Sequence, residues 1–197
     1  MIRVLEERFR REGSRLRAVP VGRLEALRED LDRLTSTDEL NGFQQHILHG
    51  IYRFELPTAF KARQVLVAAM PTPACAKVEF EWEGKKRRVF CICRSEETGT
   101  GESPNAQAAR WLEESLSSAG YRLEPAGRLP LKRLAVRSGL SVYGRNNITY
   151  VEGMGSYYTL SAFYTDLPPD PAGDSWREVS VHELCEKCGA CVAACPT

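Results

Sequence analysis

Apolar and polar residues along this chain fall into helical and strand-like periods that switch several times. Ile2, Val4, Leu5 and Phe9 sit among charges with the spacing of an amphipathic helix over residues 1–12, and Gly13 stops it. Arg15 to Val19 alternates like a short strand that ends at Pro20, and Leu24, Leu27, Leu31 and Leu34 then keep a helical period. Ser36 or Thr37 offers an N-cap, with Asp38 and Glu39 in the first turn, for a helix running to about Leu48. On that helix His46 and His49 share a face, and with no third ligand nearby a surface or packing role is expected for them rather than a metal site.

The centre of the chain reads as strands. Gln64 to Met70 is a continuous apolar run closed by Pro71, the pattern of a strand buried on both faces. Lys77 to Trp82 and Arg87 to Cys93 flank Glu83-Gly84 as a hairpin, with Val78, Phe80 and Trp82 alternating with charges. The polar stretch Ser95 to Ser103 reads as a loop, and Ser103-Pro104 opens a helix with an apolar side at Ala106, Ala109, Trp111, Leu112, Leu116 and Ala119, capped by Gly120. Tyr121 to Leu123 is a candidate strand, and Leu129 to Arg137 a short helix ended by Ser138-Gly139. Strands are expected at Ile148 to Val151 and Tyr157 to Tyr164, turned by Gly153 and Gly155, before a linker from Asp166 to Gly173. The expected architecture is therefore a mixed α/β layer domain over residues 1–173, followed by a short segment, 174–197, of different character.

Composition narrows the classes. The chain has 197 residues, 43% hydrophobic and 27% charged, enough for one sizeable core. Its net charge of +1 argues against a nucleic-acid partner, which normally meets a basic domain or stripe. The cluster Lys85-Lys86-Arg87-Arg88 reads first as a solvated hairpin tip, with an anion or nucleic-acid contact as the minor reading. No stretch approaches the ~18 apolar residues of a membrane span and no apolar signal region opens the chain, so a cytoplasmic protein with no membrane partner is expected. Of seven cysteines, Cys75, Cys91 and Cys93 lie apart and read as small buried hydrophobes.

The other four carry the chemistry. Cys185, Cys188, Cys191 and Cys195, the last followed by Pro196, reproduce the C-x2-C-x2-C-x3-C-P run of bacterial ferredoxins. Short gaps let three thiolates converge on one 4Fe-4S cluster, and the following helical turn carries the fourth towards a second cluster. Small Gly189 and Ala190 would let backbone N–H groups near the cluster sulfurs. Structural zinc prefers two pairs of ligands separated by a longer stretch, and a disulfide framework needs an exported chain, so both fit less well. One such run completes neither of two clusters. A cut chain is expected, ahead of ligands from another chain or a single incompletely held cluster.

Two further stretches, read with the cysteine run, resemble the epoxyqueuosine reductases. Pro130 to Asn147, ending Val142-Tyr143-Gly144-Arg145-Asn146-Asn147, is similar to that family's helix followed by G-(W/Y/F)-x-G-K-N. Gly155 to Pro168 looks like its GS-aromatic strand ending in T-D-(L/I)-P. The resemblance implies a corrinoid- and iron–sulfur-dependent reductase, related to the reductive dehalogenases. In these a nitroreductase-like α/β domain holds cobalamin and a two-cluster ferredoxin module feeds it electrons. It places Tyr143, Gly144, Arg145, Asn146 and Asn147 beside the corrinoid or substrate, although Asn146 and Asn147 also suit plain turn hydrogen bonds before a strand. The sequence departs from the family where an aspartate proton donor is expected, since that place holds Pro125 beside Glu124, and Arg145 replaces a lysine. The expectation is an iron–sulfur oxidoreductase, corrinoid- or flavin-linked, acting on a small molecule other than tRNA and partnered by an electron donor or acceptor protein. The alternative is a non-catalytic 4Fe-4S electron-transfer protein.

Overall fold

A computed structural model describes residues 1–36, 40–72, 76–91, 102–170 and 174–196. Its centre is a four-stranded antiparallel sheet in the order β1-β2-β8-β5, formed by β1 (Arg15–Pro20), β2 (Gln64–Pro71), β8 (Tyr158–Thr165) and β5 (Leu123–Pro125). The apolar run in β2 is explained by its place. It lies between β1 and β8, and helices cover both faces of the sheet.

Alternation along β2 then divides the core in two. Val65, Val67 and Ala69 pack with Leu24 and Leu27 of α2 (Arg23–Thr35) and with Leu134 and Ala135 of α5 (Leu131–Arg137). Leu66, Ala68 and Met70 pack with Leu5 and Phe9 of α1 (Ile2–Arg11) and with Trp111, Leu112 and Leu116 of α4 (Pro104–Ser117). Phe9 meets the edge of Trp111 with centroids 5.3 Å apart. Each fully buried side chain of this kind contributes about 1.5–3 kcal/mol. The mixed α/β class is thus observed as a helix–sheet–helix sandwich. Ser103 caps α4 through a 3.2 Å bond from the Ala106 N–H, as its sequence position suggests.

Some expectations need correction. The helix expected from Ser36 or Thr37 starts later. Asn41 caps α3 (Gly42–His46) by a reciprocal box with Gln44, at 3.0 and 2.9 Å, and the chain continues as a π-helical turn over Ile47–Ile51. Residues 37–39 lie outside those described. A box that satisfies two N–H groups at once fixes the start better than a lone hydroxyl. Asp166 does not begin a linker: its carboxylate accepts from the Arg122 N–H at 2.8 Å and the guanidinium at 2.9 Å. Leu167 is buried, and the Gln64 amide donates to the Leu167 and Pro168 carbonyls at 2.9 and 2.8 Å. Cys91 is half-buried, whereas Cys75, Cys93 and most of the loop from Ser95 to Ser103 lie outside the described residues. The hairpin of β3 (Ala76–Trp82) and β4 (Lys85–Cys91) forms as expected, but every residue from Lys77 to Phe90 is exposed.

Candidate functional site

The segment before the cysteines is tied to the sandwich. The Ser175 hydroxyl donates to the Ser138 carbonyl at 2.8 Å, and the Arg177 N–H to the Arg137 carbonyl at 2.7 Å. Val181 then bridges in parallel to Tyr143 of β6 (Val142–Tyr143), and the His182 N–H donates to the Tyr143 carbonyl at 2.7 Å. This seam brings Cys185 beside the loop from Tyr143 to Asn147. Both line one cavity of about 1000 Å³, the upper end of the usual size for small-molecule and cofactor sites.

One wall of the cavity is apolar: Leu31 and Leu34 of α2, Phe43 of α3, and Ile47 and Leu48 of the π-helical turn. The lining also carries the cations Lys132, Arg133 and Arg145. Val181, His182, Cys185 and Glu186 close it. The chemistry suits a large ligand that combines an apolar body with hydrogen-bond acceptors or negative charge.

The loop is shaped by its pairing. β6 joins β7 (Thr149–Tyr150), and the Gly144 N–H donates to the Ile148 carbonyl at 2.6 Å. A side chain at Gly144 would put its Cβ 2.5 Å from the Tyr150 ring and 2.7 Å from the Asn146 amide oxygen. Asn147 takes a positive φ of 60°, which asparagine tolerates. The Asn146 side chain accepts from the Ile148 N–H at 3.2 Å, a turn bond, and Asn146 does not line the cavity. Of the five residues singled out in sequence, Tyr143, Gly144, Arg145 and Asn147 reach the cavity and Asn146 supports the turn.

Beneath the loop lies a buried charge cluster. Asp30, only 2% exposed, accepts from Arg137 at 2.7 and 2.5 Å and from Arg133 at 3.0 Å. Burial opposes the Asp30 carboxylate, but the two guanidinium groups outweigh it and hold its pKa below the ordinary value. Arg137 also donates to the Arg177 carbonyl and to Glu178, each at 3.0 Å, and stacks over Trp176. α5, α2 and the C-terminal segment are therefore clamped together directly under the cavity. Burial pushes the Tyr143 phenol up, partly offset by the neighbouring Arg133 guanidinium.

His182, Arg133 and the α3 wall were not singled out in sequence. His182 is half-buried, its Nδ1 accepts from the Leu184 N–H at 3.2 Å, and its ring stands edge-on to Tyr150. In a neutral ring that bond leaves the proton on Nε2. A histidine three residues before a cysteine run was the available signal. Glu124, beside the place of the family's acid, lies in β5 opposite Tyr164 and does not line the cavity.

Cys185 and Cys188 bound α6 (Cys185–Cys188). Gly189, at φ 63°, turns the chain into α7 (Ala190–Ala193), which holds Cys191. Cys185 is half-buried and the other three are exposed. Three soft thiol donors on two adjacent turns, with Cys195 just beyond them, are the right set for an iron–sulfur group. Among the described residues, no three His, Cys, Asp or Glu side chains are grouped to hold a metal ion. Such ligands commonly assemble on binding, because thiolates repel one another without the metal.

No family model matches the chain. Epoxyqueuosine reductase from Pseudomonas aeruginosa is 38% identical over 68 residues, 34% of this chain and 17% of that protein. The one from Aliivibrio fischeri is 30% identical over 87 residues, 44% of this chain and 22% of that protein. The Bacillus subtilis epoxyqueuosine reductase structure superposes over 99% of this chain with a TM-score of 0.58 at 18% identity. This chain is a divergent relative of the epoxyqueuosine reductases. It spans 51% of the Bacillus subtilis chain, about half of its length.

The expectation of no nucleic-acid partner is corrected by the same comparisons. A structure of epoxyqueuosine reductase with an epoxyqueuosine-modified tRNA-Tyr stem loop shares the fold over 93% of this chain, with a TM-score of 0.54 and 18% identity. Net charge fails as an exclusion because it averages the surface, whereas RNA meets local fields. Among the described residues, no helix is long and apolar enough to cross a membrane.

Proposed function

We propose that this chain is the cofactor-binding part of an iron–sulfur reductase of the epoxyqueuosine reductase type, with its substrate carried on RNA. The single observation behind this reading is that the Tyr143–Asn147 loop and Cys185 line one large cavity. Cys185, Cys188 and Cys191 would hold one 4Fe-4S cluster and Cys195 would ligate a second, in a ferredoxin-type segment over 174–197. Such clusters supply single electrons from a donor protein. Lys132, Arg133 and Arg145 would orient a corrinoid or another large polar ligand, while the α3 wall excludes water. His182 Nε2 or the Tyr143 phenol, both on residues that line the cavity, would deliver a proton to the reduced substrate.

The test is anaerobic reconstitution with iron and sulfide, followed by titration with cobalamin under visible light. A cluster spectrum and a shift of the corrinoid bands, lost on Arg133→Ala, support the reading. Clusters with an unchanged corrinoid spectrum would leave a plain electron-transfer protein. The absence of any cluster would reject the reading.

A further inference from the structure

The β3–β4 hairpin has two unlike faces. Cross-strand partners share a face, so Val78 with Val89, Phe80 with Arg87, and Trp82 with Lys85 form one side. Lys77, Glu79, Glu81, Lys86, Arg88 and Phe90 form the other. All four strand carboxylate and ion-pair positions fall on that second side, where Glu79 bonds Lys77 at 2.8 Å and Arg88 at 3.0 Å. The first side carries no acid. Its Lys85 and Arg87 make no ion pair among the described residues.

That side is also strongly apolar for a surface. Trp82 is 61% exposed, Phe80 43%, and Val78 and Val89 41% each. A two-stranded hairpin whose strands bury nothing else is marginal by itself, and an exposed aromatic patch of this kind marks a binding surface. Two aromatic rings beside two uncompensated cations match unstacked bases beside phosphates. A second copy of the chain fits poorly, since a two-fold contact would set this acid-free, cation-bearing face against itself with no carboxylate to offset the charge.

We propose that the Phe80–Trp82–Lys85–Arg87 face binds the single-stranded loop of an RNA, with bases stacked on the rings and phosphates on the cations. This rests on the reading that RNA carries the substrate, and adds a contact surface separate from the residues of the cavity. The strand spacing of ~6.8 Å between alternate residues leaves each ring its own base-sized platform.

The test is fluorescence titration of the full chain with a labelled RNA stem-loop and with a blunt duplex of the same stem. Phe80→Ala with Trp82→Ala should weaken stem-loop binding at least about tenfold and leave duplex binding nearly unchanged. Lys85→Gln with Arg87→Gln should reduce the slope of log affinity against log salt by roughly 1 to 2. Lys86→Gln, on the other face, should change stem-loop binding little. Wild-type Trp fluorescence should be quenched by the stem-loop more than that of Trp82→Phe, which keeps a ring and should bind. Equal affinity in the aromatic double variant, equal losses for loop and duplex, or a dimer that only this face sustains would each overturn the proposal. Cobalamin titration of the same variants separates the two readings. Retained corrinoid shifts with unaltered RNA binding sink the hairpin proposal alone, whereas RNA binding through this face without any cluster or corrinoid shift sinks the cavity reading alone.

Discussion

At the residue scale, Asp30 and Gly144 carry the most. Asp30 falls between the apolar positions Leu27 and Leu31 of α2, and its sequence neighbours do not mark it as buried. Its burial follows from Arg133 and Arg137 arriving from α5, over a hundred residues away, and no local pattern announces that. Removing the carboxylate strands two guanidinium groups, so Asp30→Ala should cost about 3–5 kcal/mol, read by denaturant unfolding. The pH sign follows from the depressed pKa. Asp30 contributes its stability fully above the ordinary carboxylate pKa, and loses it as pH falls below that value through the folded one. Acid unfolding of wild type should therefore be steeper below the usual carboxylate range than that of Asp30→Ala. Gly144→Ala pushes a Cβ into Tyr150, so it should cost about 1–3 kcal/mol and shift the loop. A thermal melt and ligand titration check both effects.

At the element scale, β2 and α3 contrast. β2 was legible in sequence because a run from Val65 to Met70 can only be buried on two sides. Leu66→Ala should cost about 2–5 kcal/mol in unfolding experiments. The start of α3 lay in the local Asn41–Gln44 box, but Ser36 offered a competing cap in the sequence; in the fold Ser36 instead closes α2, its N–H donating to the Asp32 carbonyl at 3.1 Å. Phe43 of α3 is 72% exposed although it walls the cavity. Phe43→Ser should therefore leave stability within about 0.5 kcal/mol and weaken cobalamin binding, a split that a melt and a titration together read out.

At the scale of the whole molecule, the cysteine run and the sandwich meet across the 175–182 seam. If Cys188 and Cys191 share a cluster that Cys195 does not, Cys188→Ser should remove more iron per reconstituted chain than Cys195→Ser. Equal losses would place all four thiols on one cluster. The cysteine spacing, the apolar period of β2 and the G-R-N-N loop could be read from the chain because each is local. Ligand type, burial and turn chemistry are set by neighbours within a few residues. Only the tertiary structure decided that the loop, Arg133, His182 and Cys185 face one cavity, and that both hairpin-strand acids sit on one side of the ribbon while Lys85 and Arg87 lie on the other. Those facts depend on which strands pair and which helices cover them, and the energy that selects the pairing comes from contacts across the whole chain.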